Sequence, residues 1–243
     1  MPPIGPARSR HAGAHGGGRP VPYYRAVTYA RDERLALCSL LDKVGPDAPT
    51  LCEGWTTADL AAHLVLRERR PDAAVGILGG PLAGYTAKVQ RDMARQTPFA
   101  LLVERIRTGP PRLSLYGLPG VDARLNFSEY FVHHEDVRRA QHDWEPRVLD
   151  AQLTEHLWQQ LAGARLILRK VPVGIEFARD DQDQPDSRQP VRITVRHRTP
   201  MVTVIGAPAE LTMWSFGRSG AARVRLEGAE ADVAALAKAR WGV

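Results

Sequence analysis

The stretch FSEYFVHHEDVRRA, residues 127–140, decides how the chain is read. It completes a helix predicted over 121–140, on which Leu125, Glu129, Val132, Asp136 and Ala140 fall close to one stripe, so polar groups flank the face that packs inward. Glu129 and His133 stand one turn apart, and both side chains can therefore reach a common ion. A carboxylate on an inward face has to be paired or bound to a cation, because an isolated buried charge is costly. His63, on another predicted helix, would complete a set of two histidines and one carboxylate around a divalent metal. In catalytic zinc sites such a set leaves the fourth position open for water or a substrate atom. The same spacing also arises on solvated helix faces, so by itself it leaves both readings open.

Working outward, the helix bearing His63 starts where Thr56 is followed three residues later by Asp59, a capping-box pattern at the head of TTADLAAHLVLRERR. His63 falls in its second turn, bordered by Leu60, Leu64 and the aliphatic part of Arg67. Upstream, YARDERLALCSLLDKVG sets Leu37, Leu40, Leu41 and Val44 at helical spacing and ends on Gly45 and Pro46. Downstream, Pro71 restarts the helix and Gly79, Gly80 and Pro81 stop it. A helical stretch over 82–107 is interrupted at Thr97 and Pro98, which suit an N-cap and first-turn pair. Another amphipathic helix is predicted over 150–170, with Leu153, Leu157, Leu161, Ala164 and Leu168 in register. From Val173 the texture changes to strand-like runs, GIEFAR, VRITVRH and MVTVIG, separated by turn-rich segments such as DDQDQPDSRQP. A helix near 208–217, a strand in ARVRLEG and a helix over 229–240 follow. The expected fold is mainly α with a C-terminal α+β part: a basic Gly/Pro/Arg-rich tail over 1–26, a helical domain over 27–170 and a small α+β domain over 171–243.

Composition narrows the function classes. The formal charge is +6, but Arg8, Arg10, Arg19 and Arg25 place +4 of it in the tail, which has no acid. The remaining +2 is spread among interspersed charges without an aromatic-interleaved basic stripe, so a nucleic-acid partner is not expected. No run approaches the roughly 20 apolar residues of a membrane span, and the N-terminus lacks the apolar run of a secretory signal. Cys38 and Cys52 lack the spacing of a redox pair or a disulfide framework and read as reduced thiols in a cytoplasm. The tail has little to bury and is expected to be disordered and dispensable for stability, whereas His11 and His15 within it have no helix to hold them as ligands.

Around the candidate ligands, several residues carry more than one reading. Cys52 is expected to pack in the core, near enough to the site to be watched. His134 points about 100° away from His133 and reads as a neighbouring polar group. Asp136 can orient His133 or form a salt bridge with Arg139 or Arg67. Trp55 reads as a core anchor, and Arg218 in WSFGR as part of a packing element with the option of facing the cleft. Arg67, Arg69, Arg70 and Arg91 are expected on solvated helix faces, though each could bind an acidic substrate.

The pattern CEGWTTADLAAHL followed by EYFVHHEDVRRA resembles the mycothiol-dependent maleylpyruvate isomerase family, within the DinB-like metal-dependent bundles, over about residues 27–240. With its RERRPDAA and GPPRL segments, the chain is most similar to an actinobacterial branch of that family distinct from the isomerase itself. The resemblance implies a DinB-like four-helix bundle with a smaller C-terminal α/β domain, and a zinc or similar divalent ion held at the positions of His63, Glu129 and His133. It also implies thiol chemistry: a low-molecular-weight thiol such as mycothiol as co-substrate, an electrophilic small molecule as its partner, and an isomerase or S-transferase outcome. Two imidazoles and a carboxylate suit zinc, nickel and iron(II) alike. Two other function classes stay open, a non-catalytic structural or stress-related metal protein and a small-molecule-binding module built on the C-terminal unit. Oligomeric state is not legible.

Overall fold

The computed structural model of the chain describes residues 23–77, 79–111, 126–180 and 191–241. Helix α1 (Tyr23–Val44) begins inside the stretch that the sequence assigns to the tail, and residues 1–22 lie outside the described residues. Gly45, at φ +80°, ends α1 in the left-handed conformation that glycine adopts without steric cost, and its N–H donates to the Leu41 carbonyl. The chain then folds back tightly. The Ala58 N–H donates to the Pro46 carbonyl and the Thr57 hydroxyl to the Gly45 carbonyl, so α2 (Thr57–Arg69) is tied to the end of α1.

The short α3 (Pro71–Ala74) leads to α4 (Ala83–Gln96) and α5 (Phe99–Arg107). The break between α4 and α5 falls one residue later than the cap pattern suggests: the Thr97 N–H closes α4 onto the Met93 carbonyl, and Pro98 takes the N-cap position of α5. Helix α6 (Phe127–Arg139) carries the motif, while residues 121–125 of its predicted length, with Leu125, lie outside the described residues. Leu37 and Leu41 of α1, Leu60 and Leu64 of α2, Leu102 and Ile106 of α5, and Tyr130 and Val137 of α6 make one buried core. The helices are thus held by apolar stripes at helical spacing, as their sequences require.

Helix α7 (Ala151–Gln160) is shorter than the predicted 150–170. Beyond Gln160 the chain continues as 3-10 turns over Leu161–Arg165 and Leu168–Lys170, with Gly163 weakening the α-helical alternative. Leu161, Ala164 and Leu168 are nonetheless buried, in the core of the sheet. That sheet has the order β2-β1-β3-β4, built from β1 (Gly174–Arg179), β2 (Arg192–Arg196), β3 (Met201–Gly206) and β4 (Arg225–Glu227). β1 runs parallel to β3, with Ile175 opposite Val202, and the two edge pairings are antiparallel. Helices α8 (Pro208–Ser215) and α9 (Glu230–Lys238) cover it through Leu211, Trp214 and Leu236. Phe127 and Phe131 of α6, Leu157 of α7 and Met213 of α8 pack together at the junction between bundle and sheet. Among the described residues, no helix is long and apolar enough to cross a membrane.

Candidate metal centre

Helix α2 is fixed at its start by a complete capping box, in which the Asp59 N–H reaches the Thr56 hydroxyl and the Asp59 carboxylate accepts the Thr56 N–H at 3.0 Å. This sets the rotation of α2 and turns His63 toward α6, with the Trp55 ring at 5.1 Å from the imidazole on its flank. From α6, Glu129 and His133 face it. His63 Nε2 lies 3.3 Å and His133 Nε2 3.2 Å from the same atom, Glu129 Oε1. The two imidazole rings are 5.3 Å apart and steeply inclined to each other at 69°. One ligand atom from each of His63, Glu129 and His133 lies within 4.8 Å of the other two. Both histidines are buried and Glu129 is half-buried.

The electrostatics separate the two histidines. Burial pushes the His63 imidazole below its ordinary range, and the bond to Glu129 only partly opposes this. Burial acts the same way on His133, but there it is outweighed by the hydrogen bonds of Asp136, Cys52 and Glu129, which hold the imidazole well above its usual range. Burial would raise the Glu129 carboxyl, yet the Arg67 guanidinium and the two imidazoles keep it well below the usual carboxylate range. Glu129 is therefore ionised at neutral pH, and a divalent cation binding here competes with a proton on His133.

Behind His133 stands a further group. Its Nδ1 is 2.9 Å from Asp136 Oδ2, which fixes the ring from the side away from Glu129. Of the two readings of Asp136, contact with His133 is present, and the alternative salt bridge with Arg139 or Arg67 does not form among the described residues. Its cation is Arg218, whose Nε and Nη2 donate to the two carboxylate oxygens at 2.9 and 2.7 Å. Burial would raise the Asp136 carboxyl, but His133 and Arg218 bring it down to about 2. Cys52 also touches this carboxylate, with Sγ 3.3 Å from Oδ2, and accepts from Arg218 Nη2 at 3.4 Å. Cys52, His133 and Asp136 form a second close group of donor atoms. Arg218 already neutralises that group.

The expectation of solvated arginines changes for Arg67 and Arg69 and holds for Arg70, and His134 stays outside the centre as expected. Arg67 is not on a solvated face: it is buried, donates to Asn126 Oδ1 at 2.5 Å and lies 3.6 Å from Glu129. Arg69 donates to the Arg105 and Gly109 carbonyls at 3.1 and 2.8 Å, whereas Arg70 pairs on the surface with Asp72. His134 turns to Glu33, 2.9 Å away, and takes no part in the centre. Arg218 and Cys52 come from sequence positions remote from the motif. The sequence placed Cys52 near the centre and gave Arg218 the option of facing the cleft, but it did not bring the two together or assign either to Asp136.

Fold and geometry together define a class: a helical bundle with an appended α/β unit, carrying two imidazoles and a carboxylate converged at the bundle's α2–α6 contact. Residues 27–114 match the family model described as the mycothiol maleylpyruvate isomerase N-terminal domain, the family that the sequence resembles. That match runs from within α1 to beyond α5 and includes His63, while Glu129 and His133 lie outside it. Among solved structures, the chain has the fold of a crystal structure of the mycothiol-dependent maleylpyruvate isomerase: TM-score 0.52, 18% identity, 85% of this chain and 93% of the other covered. A mutant of that isomerase with histidine replaced by alanine superposes at TM-score 0.49 and 16% identity over the same shares. No curated protein matches the sequence.

Proposed function

We propose that the chain binds a divalent metal through His63, Glu129 and His133, and that it is a metal- and thiol-dependent transferase or isomerase. The observation that carries this is the approach of two Nε2 atoms to one carboxylate oxygen at 3.3 and 3.2 Å. Metal–ligand bonds of about 2.0–2.1 Å in a tetrahedral site put neighbouring ligand atoms roughly 3.3 Å apart. The two distances to the carboxylate oxygen therefore match such an ion, and the third, between the imidazoles, is within 4.8 Å. Zinc is the first candidate, with nickel and iron(II) suited by the same donors. Bound there, the ion would supply a Lewis acid that lowers the pKa of a thiol.

The rest is the work of the chain's own residues. Asp136 holds His133 through Nδ1, so that Nε2 faces the centre, and Arg67 keeps Glu129 ionised. The thiol is a low-molecular-weight one supplied from outside, because Cys52 is committed to Asp136 and Arg218, and Cys38 is fully buried with burial pushing its thiol up to about 11. Mycothiol is the first thiol to try, since the related domain and fold belong to a mycothiol-dependent isomerase. Beside Trp55 a cleft of about 300 Å³, lined by Glu53, Asp59, Gln90 and Arg91, offers polar contacts for the non-reacting part of a small substrate. The charge distribution, reduced cysteines and family resemblance favour a cytoplasmic setting.

The test is metal analysis of purified protein with His63→Ala and Glu129→Ala beside it, followed by a thiol-conjugation screen with mycothiol in the presence and absence of metal. Stoichiometric metal in the wild type alone, with conjugation that needs it, is the expected result. Equal metal contents in all three proteins would dispose of the site. Metal without any thiol activity would leave a non-catalytic metal protein.

A further inference from the structure

Arg218 reaches the centre from the other half of the molecule. It sits in the loop after α8, and a guanidinium that crosses such a junction is placed only as well as the loop that carries it. The loop is gripped from α6 at two points. At one, Asp136 takes the Arg218 fork. At the other, one turn along the helix, Arg139 Nη1 donates to the Ala221 carbonyl at 2.7 Å. Arg139 is buried, and its remaining donors are engaged by Glu210 at 2.8 and 2.7 Å and by Glu135 at 2.7 Å. Glu210, at the start of α8, in turn accepts the Arg223 N–H at 2.7 Å. The loop is thus pinned at residues 221 and 223 by these side chains and at its start by the Gly217 and Arg218 N–H groups, which donate to the Trp214 and Met213 carbonyls of α8, with the Ala221 N–H donating to the Arg218 carbonyl.

We infer that Arg139 and Glu210 are positioning residues for the centre: they fix the 216–223 loop so that Arg218 meets Asp136 and, through it, the ring of His133 is held. This rests on the function proposed above for its activity readout, but not for its structural one. Lysine at 139 keeps the charge and loses the fork that spans Ala221, Glu210 and Glu135. For a group that orients a ligand through an intermediary, a loss of about 10–100-fold is the usual scale.

The experiment compares Arg139→Lys, Arg218→Lys and the double variant, with Glu210→Gln as a second way of loosening the clamp, each first checked for an unchanged circular-dichroism spectrum. Two quantities are read: kcat/KM for metal-dependent thiol conjugation, and the alkylation rate of Cys52, which contacts Arg218 while Cys38 stays shielded in the core. The expected result is a kcat/KM loss of about 10–100-fold in Arg139→Lys that does not deepen in the double variant beyond Arg218→Lys alone. Alkylation rates should change by one common factor in all four variants. Multiplying losses, or Cys52 alkylation in Arg139→Lys and Glu210→Gln equal to wild type, would overturn the inference. Should the wild type show no thiol activity, the proposed function fails while the alkylation comparison still decides the clamp.

Discussion

Helix α6 handles buried charge in two ways on two sides. On one, carboxylates and cations alternate: Glu135 meets Arg138, Arg139 and Arg147 at 2.9, 2.7 and 2.8 Å, and Glu33 meets Arg147 and His134, each at 2.9 Å. On the other, a single oxygen of Glu129 draws two imidazoles, with Arg67 further off at 3.6 Å. The first arrangement spends every acid on a basic partner and joins α1, α6 and α8. The second converges neutral-capable donors on a point. Burial of charge thus serves cohesion on one side of the helix and, under the function proposed above, a ligand site on the other, and substitutions should sort accordingly.

The largest effect belongs to the converged side. His63→Ala and Glu129→Ala should take bound metal from stoichiometric to none, measured by metal analysis after dialysis, while thermal denaturation shows a cooperative fold. Retained metal would remove the contrast between the two sides. Next comes the ladder. Arg139→Ala should destabilise by about 3–5 kcal/mol, because buried Glu210 loses the cation it pairs with and Glu135 loses one of its three, and denaturant unfolding would measure it. A change under about 1 kcal/mol would mean that these ion pairs add little to the fold.

How much of this could be read from sequence follows the same divide. The helices were legible because apolar stripes have helical period: Leu37, Leu41, Leu60 and Leu64 face one core. The change to strands at Gly174 was legible from GIEFAR and MVTVIG. The pairing of Glu129 with His133 is local, one turn of one helix, and the approach of His63 followed from its place beside an apolar face together with the family resemblance. What escaped is long-range and polar. Nothing in the spacing of Arg218 and Asp136, or of Arg139 and Glu210, records that they meet, since hydrogen-bond partners distant in sequence leave no periodicity. Arg67 escaped for a related reason: an arginine on a helix edge reads as solvated until its partners, Asn126 and Glu129, are known. The stop of α7 at Gln160 was hidden because its apolar stripe continues through the 3-10 turns.

A finer test separates orientation from ligation. Asp136→Asn keeps the shape behind His133 and removes the charge, so metal affinity should weaken by about 10–100-fold without being lost. Competition titration against a chelator of known affinity measures it. An unchanged affinity would show that Asp136 serves Arg218 and not the centre.

The smallest effect lies in the ladder's response to acid. Burial pushes the Glu33 carboxyl up, but the hydrogen bond of His134 and the charge and hydrogen bonds of Arg147 outweigh it, and the net shift is downward. A carboxylate with a folded pKa below its unfolded one favours the native state in its ionised form. Its contribution is therefore complete above the unfolded value near 4.5 and fades as the pH falls through the lower, folded value. Glu33→Gln should accordingly be less stable than wild type by about 1.5 kcal/mol at neutral pH, on the scale of a hydrogen bond to a charged group. Below about pH 4.5 the two stability curves should converge. Urea unfolding at half-unit pH steps resolves this, and a constant gap down to the acid transition would mean that Glu33 acts through packing and not through its charge. A metal-centre variant gives the internal control: Glu129→Gln perturbs the converged side alone, so it should leave the acid dependence assigned to Glu33 in place.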